Sequence, residues 1–295
     1  MVPRFYKEYV TNTVGDGKSY KARDGVFYSE DPLIIAAAPV SITAFESVDA
    51  VAVDSCAFSD CVELTSVNLP SLRYIGEYAF YWCKELKEFS DMSQVLIMQG
   101  GAFCDTKLEH VDLSSLMNIP YGAFSDCLCL KSVKLCKNLS SIGEVAFGGC
   151  QKLEAITLPK SLNYIGSEAF FGTALREVSI PKGVKELKDG VFACCEQLSS
   201  IIIPDGSIER IESCALVGCK SLRRIYLPRS VKEIHAEAFI ATPIETVICR
   251  KNSFAERWAR EHGYTVEYRV YKKGVDGLNF LYKSVIVIER VAYEN

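Results

Sequence analysis

The sequence predicts an α/β-type repeat solenoid: a right-handed superhelix with short parallel strands on one face, irregular or short-helical turns opposite, and a small β-rich C-terminal tail. Three observations predict it. The pair Ala-Phe recurs at Phe58, Phe80, Phe103, Phe124, Phe147, Phe170 and Phe239, with Val191-Phe192 and Ala215-Leu216 in the same slot, at spacings of 21 to 24 residues. A unit that short cannot close its own core and must bury its apolar face on its neighbours, which produces a stacked array. Several units carry an alternating apolar pair followed by proline, as at Val67-Leu69-Pro70, Ile156-Leu158-Pro159 and Ile225-Leu227-Pro228, and each carries a Cys or Thr three residues after the Phe or Leu. The division that follows is an N-terminal cap with a hairpin over 1–49, about nine repeats over 50–250, and a capping helix with strands over 251–295.

One unit illustrates how each piece arises. In Leu64-Thr-Ser-Val67-Asn-Leu69-Pro70 the apolar residues Val67 and Leu69 alternate with Ser66 and Asn68, the period of a half-buried strand. Pro70 has no amide hydrogen to donate and marks the strand's end. The unit continues through Leu72, Ile75-Gly76 and Ala79-Phe80, and the same order returns at Leu153 to Phe170 and Leu222 to Phe239. A small Ala beside a large Phe lets one ring stack on the next, and burying each ring contributes about 1.5–3 kcal/mol. The column three residues on reads Cys61, Cys83, Thr106, Cys127, Cys150, Thr173, Cys195, Cys219, Thr242. After Thr the next apolar residue comes one position sooner, as at Leu108, Leu175 and Ile244. We expect the Thr hydroxyl to bond the backbone of this tighter turn, which a thiol does poorly.

These residues resemble the leucine-rich repeats of the BspA type, whose pattern runs Leu-x-x-Ile-x-Leu-Pro, Ile-Gly, Ala-Phe and Gly-Cys. Gly149-Cys150 and Gly218-Cys219 match the last element directly, and the resemblance extends over roughly residues 20 to 267. Asp24 to Ser29 with Leu33 resembles the family's hairpin ahead of the repeats, and Ser253 to Gly263 its terminal helix. The resemblance implies a surface or secreted protein of a host-associated microbe that binds host proteins or other cells. It implies an extracellular or cell-surface location, with the cytoplasm as the alternative. Fold alone does not fix activity.

The end of the array is readable in its own terms. Ser253-Phe-Ala-Glu256 is a capping box, Phe254 and Trp258 lie one turn apart on one helical face, and Gly263 is a helix stop. A capping helix is expected over 253–262, followed by strands over 264–271 and 280–293. An exposed strand there would be an association hazard.

Composition narrows the partners. A net charge of −4 over 295 residues gives no clustered Lys and Arg footprint, so no nucleic acid is expected. The most apolar early run, Leu33 to Phe45, is 13 residues long and contains Pro39, short of the roughly 20 that cross a bilayer. No membrane span is expected. The opening residues Met-Val-Pro-Arg-Phe-Tyr-Lys-Glu-Tyr hold no apolar run of export-signal length.

Of 13 cysteines, six stand in the Cys/Thr column. Adjacent coils lie about 4.8 Å apart, so Cys61/Cys83, Cys127/Cys150 and Cys195/Cys219 come within disulfide range, but their Cβ vectors run parallel and place the sulfurs poorly. The column reads as buried thiols acting as small apolar fillers. Cys127-x-Cys129 and Cys194-Cys195 lack the second paired cluster of a zinc site. No cofactor or metal is expected.

Candidate sites are few. Gly15-Asp-Gly17-Lys18-Ser19 echoes the end of a phosphate loop, yet residue 12 is Asn where its first Gly belongs, so it reads as a turn. Three His and no Gly-x-Ser-x-Gly leave no recognisable hydrolytic arrangement, and no enzyme is expected. Aligning the repeats puts two outward columns on the strand face. In them Glu88, His110 and Asp112 fall on adjacent rungs, where two carboxylates and an imidazole could hold a divalent metal or simply form a solvated polar face, with Lys134 pairing Asp112. Further along, the column turns apolar through Ile202, Tyr226 and Ile248, with Arg224 beside Tyr226. Unexplained apolar surface, Tyr and Arg are the marks of a contact site, unless the C-terminal strands or a second copy cover it. Non-enzymatic protein binding is therefore the expected function, with an intracellular interaction scaffold and a carbohydrate-binding module as alternatives.

Overall fold

The computed structural model describes residues 20–23, 26–29, 34–270 and 287–290. The Gly15–Ser19 turn and most of the expected 280–293 strand lie outside the described residues. The chain winds through about eleven turns of a β-solenoid with stacked parallel strands and one described helix. Along the concave column run Ala44–Glu46, Ser66–Asn68 and Glu88–Phe89, then His110–Leu113 with Ser132–Leu135, then Glu177–Ser179 with Ser200–Ile202, and finally Arg224–Tyr226, Thr246–Cys249 and Thr265–Val270. Their registers are in step: His110 faces Ser132, Asp112 faces Lys134, and Tyr226 faces Ile248.

A second ladder, not legible in the sequence pattern, occupies the Ile-Gly segments. Strands of two residues stack in parallel in three groups, Tyr74–Ile75 with Ile97–Met98, then Asn118–Ile119, Ser141–Ile142 and Tyr164–Ile165, then Glu186–Leu187, Arg210–Ile211 and Glu233–Ile234. The glycine that follows answers to this closeness. A Cβ on Gly76 would come within 2.4 Å of the Ser55 nitrogen, and one on Gly166 within 2.5 Å of the Glu144 nitrogen, so any side chain there must push two backbones apart.

The Ala-Phe corners form tight turns instead of helices. Backbone φ is positive two residues before the Phe (Cys56, Tyr78, Gly101, Gly122, Val145, Glu168, Gly190, Cys214) and again two residues after it (Asp60, Trp82, Asp105, Asp126, Gly149, Gly172, Cys194, Gly218, Ala241). Two left-handed residues per corner cannot continue a right-handed helix. At this edge the amides of one coil donate to carbonyls of the next, as in Cys56 N to Glu77 O (2.8 Å), Phe58 N to Ala79 O (2.8 Å) and Asp60 N to Tyr81 O (2.8 Å). The first corner is closed from outside by Ala38 N donating to Ala57 O at 2.8 Å.

The core is a continuous spine. Rings from Phe58 to Phe192 stack with centroids 5.0–5.8 Å apart and planes within 15°. Leu216 interrupts the stack, and beyond it Phe239 packs on Trp258 of the cap at 5.6 Å. Among the described residues the thirteen cysteines stand outside any disulfide, and the six in the column are buried. These six have a partner that apolar filling alone does not provide. Cys83, Cys127, Cys150, Cys195 and Cys219 each donate from Sγ to the Phe carbonyl of the preceding coil at 3.0–3.2 Å, and Cys61 donates to Pro39 O at 3.6 Å. Thr106 and Thr173 instead bond the Phe carbonyl of their own turn at 3.0 Å, as their shorter connection requires. Thr242 departs from that expectation and bonds Leu216 O of the preceding coil. Burial pushes the Cys127 and Cys195 thiols up to about 11 and raises those of Cys83, Cys150 and Cys219 as well.

Each end is closed differently. At the N-terminal end the antiparallel hairpin of Tyr20–Arg23 and Val26–Ser29 leads through Ile34–Ala37 into the second ladder. At the other end the helix Phe254–Glu261 starts at Ser253, whose hydroxyl accepts from Glu256 N at 3.2 Å. The reciprocal arm of the box reaches one residue further than the motif predicts, Glu256 accepting from Asn252 N at 2.6 Å. Strand Thr265–Val270 then rejoins the concave ladder, and Val287–Arg290 pairs antiparallel on its outer side. Among the described residues no helix is long and apolar enough to cross a membrane.

Candidate concave binding face

The concave strands present every second side chain outward, so the two columns read from the sequence share one face. The apolar strip lies at its C-terminal end. Ile202 stands 47% exposed. Tyr226 and Ile248 are half-buried, and Arg224 is exposed. The strip is framed by polar contacts. Tyr226 donates its hydroxyl to Asp205, which also takes Arg250 at 2.9 Å, while the Arg269 guanidinium lies 4.5 Å from the centre of the Tyr226 ring. Arg224 pairs with Glu267, itself buried. Burial first, and then bonding to Asp205, pushes the Tyr226 hydroxyl up to about 12, so it is a neutral donor at physiological pH.

Two members of this frame escape sequence reading. Glu267 stands on the rung after Ile248, and the register pairs the two directly, but the helix interrupts the repeat and hides that continuation. Asp205 sits in a Pro204-Asp205-Gly206 turn that lengthens its coil, and Gly206 has φ +75 there. A turn signal inside an otherwise regular repeat was the available clue. The C-terminal strand thus extends the ladder beside the strip and fixes its side chains, leaving Ile202 as the open apolar contact.

The polar candidate lies nearer the other end. His110 Nδ1 is 2.8 Å from Ser132 Oγ, and its Nε2 is 3.9 Å from Glu109. Lys134 donates to Asp112 at 2.7 Å and Ser114 N does so at 3.0 Å; despite partial burial, these bonds hold the Asp112 carboxyl below its ordinary range. Glu88 is exposed on the preceding rung. Among the described residues no group of three or more His, Cys, Asp or Glu is arranged to hold a metal. Instead, Phe89, Met92, His110, Asp112, Ser132 and Lys134 help line an open recess of ≈ 370 Å³.

This is the architecture of a leucine-rich repeat protein, a class defined by a stacked strand face on a repeating core. The chain belongs to the BspA type leucine rich repeat region family, whose model matches six copies over residues 51–166 and 141–256. Similar solved structures include a leucine-rich repeat protein of T. pallidum, TpLRR, with 24% identity over 86% of this chain and 96% of that one, at a TM-score of 0.46. A leucine-rich cell surface protein of Faecalibacterium prausnitzii shares 20% identity over 83% and 98% of the two chains, at 0.42. The pneumococcal vaccine antigen PcpA shares 19% over 79% and 82%, at 0.47. No curated protein sequence matches the chain.

Proposed function

We propose that the chain is a non-enzymatic protein-binding solenoid that uses the C-terminal part of its concave face, presented on or outside the cell of a host-associated microbe for adhesion. The observation that carries the reading is Ile202, a large aliphatic residue 47% exposed on a strand face whose neighbours are already locked by Asp205, Arg250 and Glu267. A rigid polar frame around an open apolar contact resembles the anatomy of binding hot spots. Membership of the BspA-type family supports the surface location and the adhesive role. Thirteen cysteines outside any disulfide favour a second reading, an intracellular interaction scaffold, because reduced cysteines are usual in the cytosol.

The test is binding of purified host matrix proteins by the wild type and by Ile202→Asp, with circular dichroism to confirm that both fold. We expect Ile202→Asp to weaken capture at least about tenfold, as for loss of one hot-spot contact. Equal capture by both would remove the concave strip from consideration. Fractionation of the native host separates the surface reading from the intracellular one.

A further inference from the structure

The corner segments 54–60, 76–82, 99–105, 120–126 and 143–149 contain six carboxylates (Asp54, Asp60, Glu77, Asp105, Asp126, Glu144) and no Lys or Arg. Among these carboxylates stands a cluster of rings. Tyr78 meets Tyr81 edge-on at 5.5 Å, and Tyr81 stacks on Trp82 at 5.9 Å. The Tyr78 ring lies over Gly101, where an added Cβ would come within 2.3 Å of it. Glu77 and Tyr121 both border Gly100, at 3.9 and 3.8 Å from the corresponding point. Trp82 is 42% and Tyr121 54% exposed.

The fold does not require these rings. Tyr78 and Trp82 hold φ +54 and +59, and other coils fill the same two slots with glycine, Gly101 and Gly122 in the first, Gly149 and Gly172 in the second. The edge also displays, within the chain itself, what it attracts. Lys84 places its ammonium 4.2 Å from the centre of the Trp82 ring and 3.5 Å from Asp105. A cation over an aromatic face beside a carboxylate is held by both. Burial first, and then the carboxylates Asp54 and Glu77, raise the Tyr74 hydroxyl on the adjoining ladder, so the acidic field extends across it.

We propose that this corner edge is a second interaction surface, which takes a Lys- or Arg-rich extended segment of a protein partner, its cations alternating between ring faces and carboxylates. The reading is independent of the concave strip. From the Asp54 coil to the Tyr121 coil is three coil steps, roughly 14 Å, the length of about four extended residues. Two or three cations of such a segment reach Glu77 and, by displacing Lys84, Asp105 and the Trp82 face together.

The experiment is fluorescence anisotropy of labelled hexa-arginine with the full chain, at low and physiological salt, with hexaglutamate as control. We expect saturable binding of hexa-arginine alone, weakened roughly fivefold by Trp82→Gly and by Tyr78→Gly. Both substitutions install the residue that other coils already carry, so the fold survives them. Lys84→Gln, which frees the Trp82 face, should tighten binding, and Ile202→Asp should leave it unchanged. Absence of saturable binding overturns the proposal. So does binding that Glu77→Gln weakens while both ring substitutions leave it intact, which would mark a diffuse charge effect without a built surface.

Discussion

At the level of single residues, the corner backbone sets the strictest demands. Val145 is a β-branched residue at φ +54, a conformation that such side chains avoid at a cost of about 1–2 kcal/mol. Val145→Asn, which tolerates that conformation, should raise stability by about 1 kcal/mol in urea denaturation. Thr173 makes the opposite case. Its hydroxyl bonds Phe170 O at 3.0 Å and touches Cys195 Sγ at 3.2 Å in a buried site. Thr173→Val keeps the shape and loses the bond, so it should cost about 1 kcal/mol by the same measurement. The role of this Thr was legible because the shortened spacing to Leu175 gave it away. The strain at Val145 was not legible, since Cys, Tyr, Val and Glu occupy a slot that only its glycine copies reveal as left-handed.

The Cys column shows what holds one coil to the next. Each buried thiol is a donor to the coil behind it, and its thiolate would sit in an apolar interior facing a carbonyl oxygen. Folding therefore keeps protons on Cys127 and Cys195 up to about 11, whereas unfolded thiols lose theirs near about 8.5. Between those limits the folded state binds more protons than the unfolded one, so stability is complete below the lower limit and declines as pH rises toward the upper. The slope is about 1.4 kcal/mol per pH unit for each such thiol. Urea midpoints measured at pH 8 and pH 10 should fall accordingly, and replacing Cys127 and Cys195 by Ala should flatten the decline. The concave strands were readable because three alternating residues suffice to show a period of two. The second ladder was not, because two residues per strand, such as Tyr74–Ile75, carry no period at all. Nor could the columns show that Arg224 is engaged by Glu267, whose rung comes after the helix.

Over the whole molecule, stability is a sum of neighbour contacts, and the ends decide where it begins to fail. Trp258 is 7% exposed and closes the ring spine on Phe239. Trp258→Ala should cost about 3–5 kcal/mol locally. Hydrogen exchange should show the loss concentrated in coils after Leu216, while amides around Phe80 and Phe103 keep their protection. The corner hydrogen bonds have a wider effect. Three amides per coil point along the axis toward the C-terminal cap, as Phe58 N to Ala79 O and Phe147 N to Ala169 O do, and they repeat in the same sense through coil after coil. Aligned peptide dipoles add, as they do in a helix. This edge is therefore a polarised rod whose carbonyl pole lies beside Asp54, Asp60 and Glu77, and whose amide pole lies at the capping helix. Bonds of the opposite sense at Gly76, Gly143 and Gly166 offset part of this polarity, and what remains is expected to favour a cation at the N-terminal coils over one at the cap.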